Sequence, residues 1–161
     1  MATLHLHQTT TATPEQFIAG LTDFGPGRGK LFGNSTDAYL KVYQRGTTDA
    51  DVTEGSGGIW ERLHYDWSDP NRVVLTTTDS NIWADGPSHT YTFKRLPNGT
   101  TEIHYVVVRE GKNLRGRLLG FVLGSIGSGV LPKAFEKTVR AIEARNAGSG
   151  AADAKHVASP A

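Results

Sequence analysis

Between residues 38 and 109, six stretches rich in Val, Thr, Tyr and Trp alternate with clusters of turn-forming residues. The stretches are 38–45, 51–56, 58–66, 72–79, 88–96 and 100–109. The punctuation is Gly46, Gly57-Gly58, Asp69-Pro70-Asn71, Asp85-Gly86-Pro87 and Pro97-Asn98-Gly99. Strands joined by connections this short form an antiparallel meander. Residues 3–9, where Leu4 and Leu6 alternate with Thr3, His5 and His7, read as a further strand with one buried face. The spacing therefore predicts a β-rich chain of about seven strands, and nineteen glycines against seven prolines suit so many turns.

Two helical regions frame the meander. Thr13-Pro14-Glu15-Gln16 carries an N-cap, a proline at the first helical position and the reciprocal glutamine of a capping box. Phe17, Leu21 and Phe24 follow at helical spacing, and Gly25-Pro26-Gly27 ends the helix. A second short helix is expected around 30–32. After residue 109, Leu114, Leu118, Phe121 and Val122 form one apolar stripe, and Leu131, Phe135, Thr138/Val139 and Ile142 form another. Gly124-Ser-Ile-Gly127-Ser-Gly129 lies between them and should kink or break the helix. Residues 1–146 read as one domain, and 147–161, small and polar, as a disordered tail.

Composition excludes several classes of function. With no cysteine among 161 residues there is no disulfide framework, thiolate metal site or cysteine nucleophile. The net charge of +1 offers nucleic acid no overall grip, although residues 1–108 carry eight basic and twelve acidic side chains and residues 109–145 carry eight and three. Gly29-Lys30 lacks the glycine five residues earlier and the Ser or Thr after it that a phosphate-binding loop requires; Phe24 and Leu31 stand there. The apolar stretch 118–131 is glycine-interrupted and shorter than the ~20 residues of a membrane span. Nothing near Met1 resembles a secretory signal, so a cytoplasmic location is expected. His5 and His7 share a strand face, and His64 and His104 fall on the outer surface; two imidazoles without a carboxylate make no metal site, and neither metal nor cofactor is expected.

Strand, short helices, six antiparallel strands and a C-terminal helix is the order of the helix-grip fold. With Gly58-Ile-Trp-Glu-Arg-Leu63, Asp66-Trp-Ser-Asp-Pro-Asn-Arg-Val73 and Arg109-Glu-Gly-Lys-Asn113, the chain resembles the START-like (SRPBCC) superfamily over roughly residues 2–146. That group includes polyketide cyclase/dehydrase proteins, lipid-transfer START domains and plant pollen allergens, and the chain looks most like its small stand-alone bacterial members. The resemblance implies an α+β fold in which a curved sheet of about seven strands wraps a long C-terminal helix around a cavity for a hydrophobic or amphipathic small molecule. With the net charge of +1 no nucleic-acid partner is expected, while transient membrane-surface contact and either a monomer or a homodimer stay open.

Strand alternation nominates the residues that would line such a cavity. A three-residue loop at Pro97-Asn98-Gly99 pairs Phe93 with Ile103 and Tyr91 with Tyr105, so that like faces like. The inward set then holds Leu63, Leu75, His89, Tyr91, Phe93, Tyr105 and Arg109, with Trp60 on the outer face. Trp83 from a connection, Phe17 from the first helix, and Phe121, Ile126, Leu131 and Phe135 from the C-terminal helices complete the expected ligand-binding residues. Glu61, Asp79, His89 and Arg109 are the polar exceptions on inward faces. Asp79, His89 and Arg109 are expected to cluster at one mouth of the cavity, either as a structural Asp–Arg pair or as a station that orients a ligand. The glycine-interrupted segment 124–129 would be a mobile wall.

Three functions stay open. The leading one is a carrier or sequestering protein for a lipid, fatty acid, polyketide or aromatic molecule. A cyclase/dehydratase-like enzyme would use the same cavity, with Asp79 and His89 as an acid/base pair or Tyr91 as a hydroxyl donor. A protein-interaction module would use Lys133, Lys137 and Arg140 on the last helix.

Overall fold

A computed structural model describes residues 1–125 and 129–157, with side chains as far as Ser149. The elements run β1 (Ala2–Thr10), α1 (Pro14–Leu21), a 3-10 turn (Arg28–Lys30), β2 (Lys41–Arg45), β3 (Asp49–Ser56), β4 (Ile59–Asp66), β5 (Arg72–Ser80), β6 (Gly86–Arg95), β7 (Thr101–Arg109), α2 (Leu114–Ser125) and α3 (Val130–Val157). The strands form one antiparallel sheet in the order β1-β7-β6-β5-β4-β3-β2. This is the expected α+β helix-grip architecture, with α3 laid along the concave face.

Local chemistry accounts for most of it. The α1 capping box is formed: Gln16 N donates to Thr13 Oγ1 at 3.2 Å and Thr13 N to Gln16 Oε1 at 2.9 Å. The β6–β7 hairpin takes the bulged loop with Gly99 at φ +84°, pairing Tyr91 with Tyr105 and Phe93 with Ile103. Phe135, Val139 and Ile142 bury the predicted stripe of α3 against Phe17, Leu21 and the sheet.

Three β-bulges interrupt simple alternation, one at Tyr43 on β2 and two on strands that border the concave face. Arg62 pairs with Asp79 but Leu63 pairs with Thr77, so Thr78 is an extra residue on β5; likewise Ser88 is extra on β6, between the pairs Leu75–His89 and Thr76–Pro87. Each bulge bends the sheet and shifts the inward set beyond it by one residue.

One helical expectation is corrected. The α2 stripe faces away from the sheet: Leu114, Phe121 and Leu118 are 84, 71 and 63% exposed, while the buried residues of the helix are Gly116 and Gly120. Glycine lets α2 approach so closely that a Cβ at Gly116 would stand 2.1 Å from the Ile82 carbonyl oxygen, and no larger residue could hold that face. Helix α3 is drawn from Val130 to Val157, and Ala147, Ala151, Ala152 and Ala154 supply the strongest of helix propensities in its last part. Helix α2 ends at Ser125 and α3 begins at Val130. Ile126 and Gly127, and with them the centre of the mobile-wall expectation, lie outside the described residues.

Candidate functional site

A cavity of about 450 Å³ lies between the concave face of the sheet, the segment 28–34 and the two C-terminal helices. Its sheet wall includes Leu63, Leu75, His89, Tyr91, Tyr105 and Arg109, and Trp83 lies in the connection above. Leu131 and Phe135 of α3 form the opposite wall, with Leu123 of α2. Of the thirteen nominated positions the other four fall elsewhere. Phe17 and Phe93 pack on each other in the core, 5.5 Å between ring centroids, because α1 fills the end of the sheet where Phe93 projects. Phe121 points to solvent on the outer side of α2, and Ile126 is outside the described residues. Trp60, placed outside by alternation, borders the cavity near the β3–β4 turn.

One polar station sits at the end of β7. Arg109 Nη1 and Nη2 donate to Glu61 Oε2 and Oε1, both at 2.8 Å, a bidentate pair with both side chains buried. The guanidinium lies 5.0 Å from the Trp83 ring centre, and Thr77 Oγ1 also donates to Glu61, at 3.0 Å. Arg109 Nη2 is 2.8 Å from His89 Nε2. Because arginine can only donate, Nε2 must accept, which places the single proton of a neutral imidazole on Nδ1. Burial, with the guanidinium charge beside it, pushes His89 well below the usual histidine range and keeps it neutral. His89 Nδ1 therefore donates to the Tyr105 oxygen, 2.6 Å away.

The Tyr105 hydroxyl proton is thereby left available to the cavity. Burial pushes this phenol up to about 12, so it is a hydrogen-bond donor rather than a base near neutral pH. Tyr91 stacks on it at 4.1 Å between centroids, and burial together with the neighbouring phenol raises Tyr91 as well. Of the two inward tyrosines, the one held by histidine is Tyr105, not the Tyr91 expected as hydroxyl donor.

Asp79 does not join this station. The bulge at Thr78 turns its side chain outward, where it meets Lys112 at 3.5 Å, both groups being exposed. The expected Asp–Arg pair is instead Glu61–Arg109, and an acid/base couple of Asp79 with His89 is excluded by the opposite faces they occupy.

A second station, missed in the sequence, lies on the adjoining strand. Arg28, buried in the 3-10 turn, pairs through Nε with Glu54, donates from Nη1 to the Asp23 carbonyl at 2.7 Å and from Nη2 to the Tyr65 hydroxyl at 3.1 Å. Tyr65 donates in turn to Glu54, as does Ser35 Oγ at 2.6 Å. Phe24 and Phe32 sandwich the guanidinium at 4.7 and 4.5 Å. Burial opposes the Arg28 charge, but the Tyr65 and Glu54 oxygens more than offset it and hold the group above its ordinary value. Burial, and then Glu54, push Tyr65 upward. Glu54 and Glu61 are direct cross-strand partners on β3 and β4, so the cavity floor holds two carboxylates side by side, each neutralised by its own arginine. Glu54 could have been read from its alternation with buried Ala50 and Val52. Arg28, in a glycine-rich loop without periodicity, gave no signal.

The outer face carries a third group. His7 stacks on His104 at 4.3 Å between centroids, and His5 Nδ1 lies 3.2 Å from His104 Nε2, while His64 contacts Asp51 instead. Among the described residues no three His, Asp or Glu side chains have the geometry to hold a metal ion.

Solved structures share this architecture. A protein from Thermus thermophilus matches with a TM-score of 0.65 at 14% identity, over 91% of this chain and 98% of its own. A START superfamily protein from Mycobacterium smegmatis gives 0.64 at 11%, over 90 and 97%, and the Zhui aromatase/cyclase from Streptomyces sp. R1128 gives 0.60 at 11%, over 89 and 92%. No protein-family model and no curated protein matches the sequence. Identities this low establish a common fold.

Proposed function

From the premise that this chain has the START-like helix-grip fold, we propose that it binds an amphipathic small molecule with an aromatic or polyketide-like body, as a carrier or sequestering protein. The observation that carries the reading is the cavity: about 450 Å³, within the ~300–1,000 Å³ of sites for drug-sized ligands, with aromatic and aliphatic walls and a few fixed polar groups. Tyr91, Tyr105 and Phe135 offer ring faces to a flat apolar body. The Tyr105 hydroxyl offers one oriented donor to a carbonyl or hydroxyl oxygen. Each guanidinium is already neutralised by its own glutamate, which favours a neutral polar group on the ligand over a free carboxylate.

The test is native mass spectrometry of protein purified without detergent, followed by organic extraction and calorimetry with whatever is released. A discrete neutral or weakly polar molecule, bound about tenfold more weakly by Tyr105→Phe, supports the reading. An empty protein whose melting is unmoved by a panel of lipids and aromatic polyketides refutes it.

The Glu61–Arg109–His89–Tyr105 relay favours one second reading, a cyclase-like enzyme. Tyr105 would hydrogen-bond a substrate carbonyl as negative charge develops on its oxygen, and His89 and Arg109 would hold the phenol in place. Turnover that falls in Tyr105→Phe by far more than binding distinguishes it from a carrier.

A further inference from the structure

Helix α2 is built inside out. Gly116 and Gly120 press against the Ile82 carbonyl, Trp83 and the end of β7, while Leu114, Leu118, Phe121 and Val122 stand in solvent. At 100° per residue these four share one stripe, and Arg117 and Arg115 fall about 80° to either side of its midline. Both arginines are exposed, and among the described residues neither is in an ion pair. From Gly111 to Phe135 the chain has four basic residues and no acidic one.

We propose that α2 is a docking helix for anionic lipid surfaces. An apolar stripe between two arginine rows suits the membrane interface, where the leucines and Phe121 enter the acyl boundary and the guanidiniums reach lipid phosphates. Twelve residues span about 18 Å, too short to cross a ~30 Å hydrocarbon core, so the helix lies on the surface. No single helix among the described residues is long and apolar enough to span.

Charge decides against a second copy of this chain as occupant. Pairing two stripes would crowd four arginines around an apolar patch, with no carboxylate on either helix to neutralise them. Four side chains also fall well short of the ~20–30 residues a side of a stable protein interface. Anionic headgroups meet both demands. The docking stands whether or not the cavity carries a ligand; Leu123, on the same helix, lines that cavity, so docking would set its wall against the lipid.

The experiment is flotation of the full chain with vesicles of phosphatidylcholine alone and of phosphatidylcholine containing about one-quarter phosphatidylglycerol. The wild type should float with the anionic vesicles only, and release as salt rises. Leu118→Ser/Phe121→Ser should partition at least about tenfold more weakly, and Arg115→Gln/Arg117→Gln about fivefold more weakly per arginine. All four positions are exposed, so unchanged melting curves exclude misfolding as the cause. Three results would overturn the proposal: wild type that stays out of the anionic vesicles, variants that bind them as well as wild type, or a solution dimer that Leu118→Ser/Phe121→Ser converts to monomer.

Discussion

Replacing Arg109 with Met tests the site through the energetics of one buried charge. The substitution removes two 2.8 Å hydrogen bonds from Glu61 and leaves its carboxylate buried, with Thr77 as remaining donor and Glu54 as cross-strand neighbour. Methionine fills similar volume and keeps contact with Trp83, so lost packing is a minor part of the cost. Breaking a buried pair on one side costs about 3–5 kcal/mol. The variant's escape is to protonate the stranded carboxyl. For an ordinary glutamate that costs about 3.7 kcal/mol at pH 7 and about 1 kcal/mol at pH 5, which caps the penalty at each pH. The folded variant thus binds a proton the unfolded chain releases, so its deficit relative to wild type shrinks as pH falls. His89, relieved of the adjacent guanidinium, acts in the same direction. Melting followed by circular dichroism should show a drop of about 7–15 °C at pH 7, at ~2–4 °C per kcal/mol, and only a few degrees at pH 5. Adding Glu61→Gln to Arg109→Met should recover most of the loss. A pH-independent deficit, or one below about 1 kcal/mol, would refute the account of Glu61 as a dry, arginine-neutralised carboxylate.

Because His89 is held neutral below its unfolded value of about 6.5, the unfolded chain takes up the proton first; stability should decline from about pH 6.5 downward, by at most ~1.4 kcal/mol per pH unit, until the lowered folded value is reached. His89→Gln should flatten that part of the stability–pH curve measured by urea titration. Gly116→Ala gains helix propensity of about 1 kcal/mol but puts a methyl 2.1 Å from the Ile82 oxygen, so α2 should lift off the sheet, with net destabilisation of about 2 kcal/mol or more in denaturant melts and faster proteolysis within 114–125. Phe121→Ser should change stability by less than about 0.5 kcal/mol, whereas Phe135→Ala should cost about 3–5 kcal/mol; equal effects in chemical denaturation would contradict the opposite exposures of the two rings.

These contrasts separate what one-dimensional pattern encodes from what it does not. Elements whose causes lie within a few residues were legible from the chain alone: the α1 cap in Thr13-Pro14-Glu15-Gln16, the strands between turn clusters, and the Tyr91–Tyr105 register set by Gly99 and by like facing like. So was the inward row Leu63, Leu75, His89, Tyr91, Tyr105 and Arg109, because alternation has period two and holds until something interrupts it. Tertiary structure decided the rest. The extra residues Thr78 and Ser88 answer to sheet curvature, and one such residue sends Asp79 to solvent and gives Arg109 to Glu61. Arg28 enters the cavity floor from an aperiodic loop because a carboxylate 26 positions away awaits it. The apolar period of α2 predicts an apolar face but not which way it looks. That was settled by backbone packing, since only its glycine side can come within contact of the Ile82 carbonyl, leaving Leu114, Leu118 and Phe121 outside.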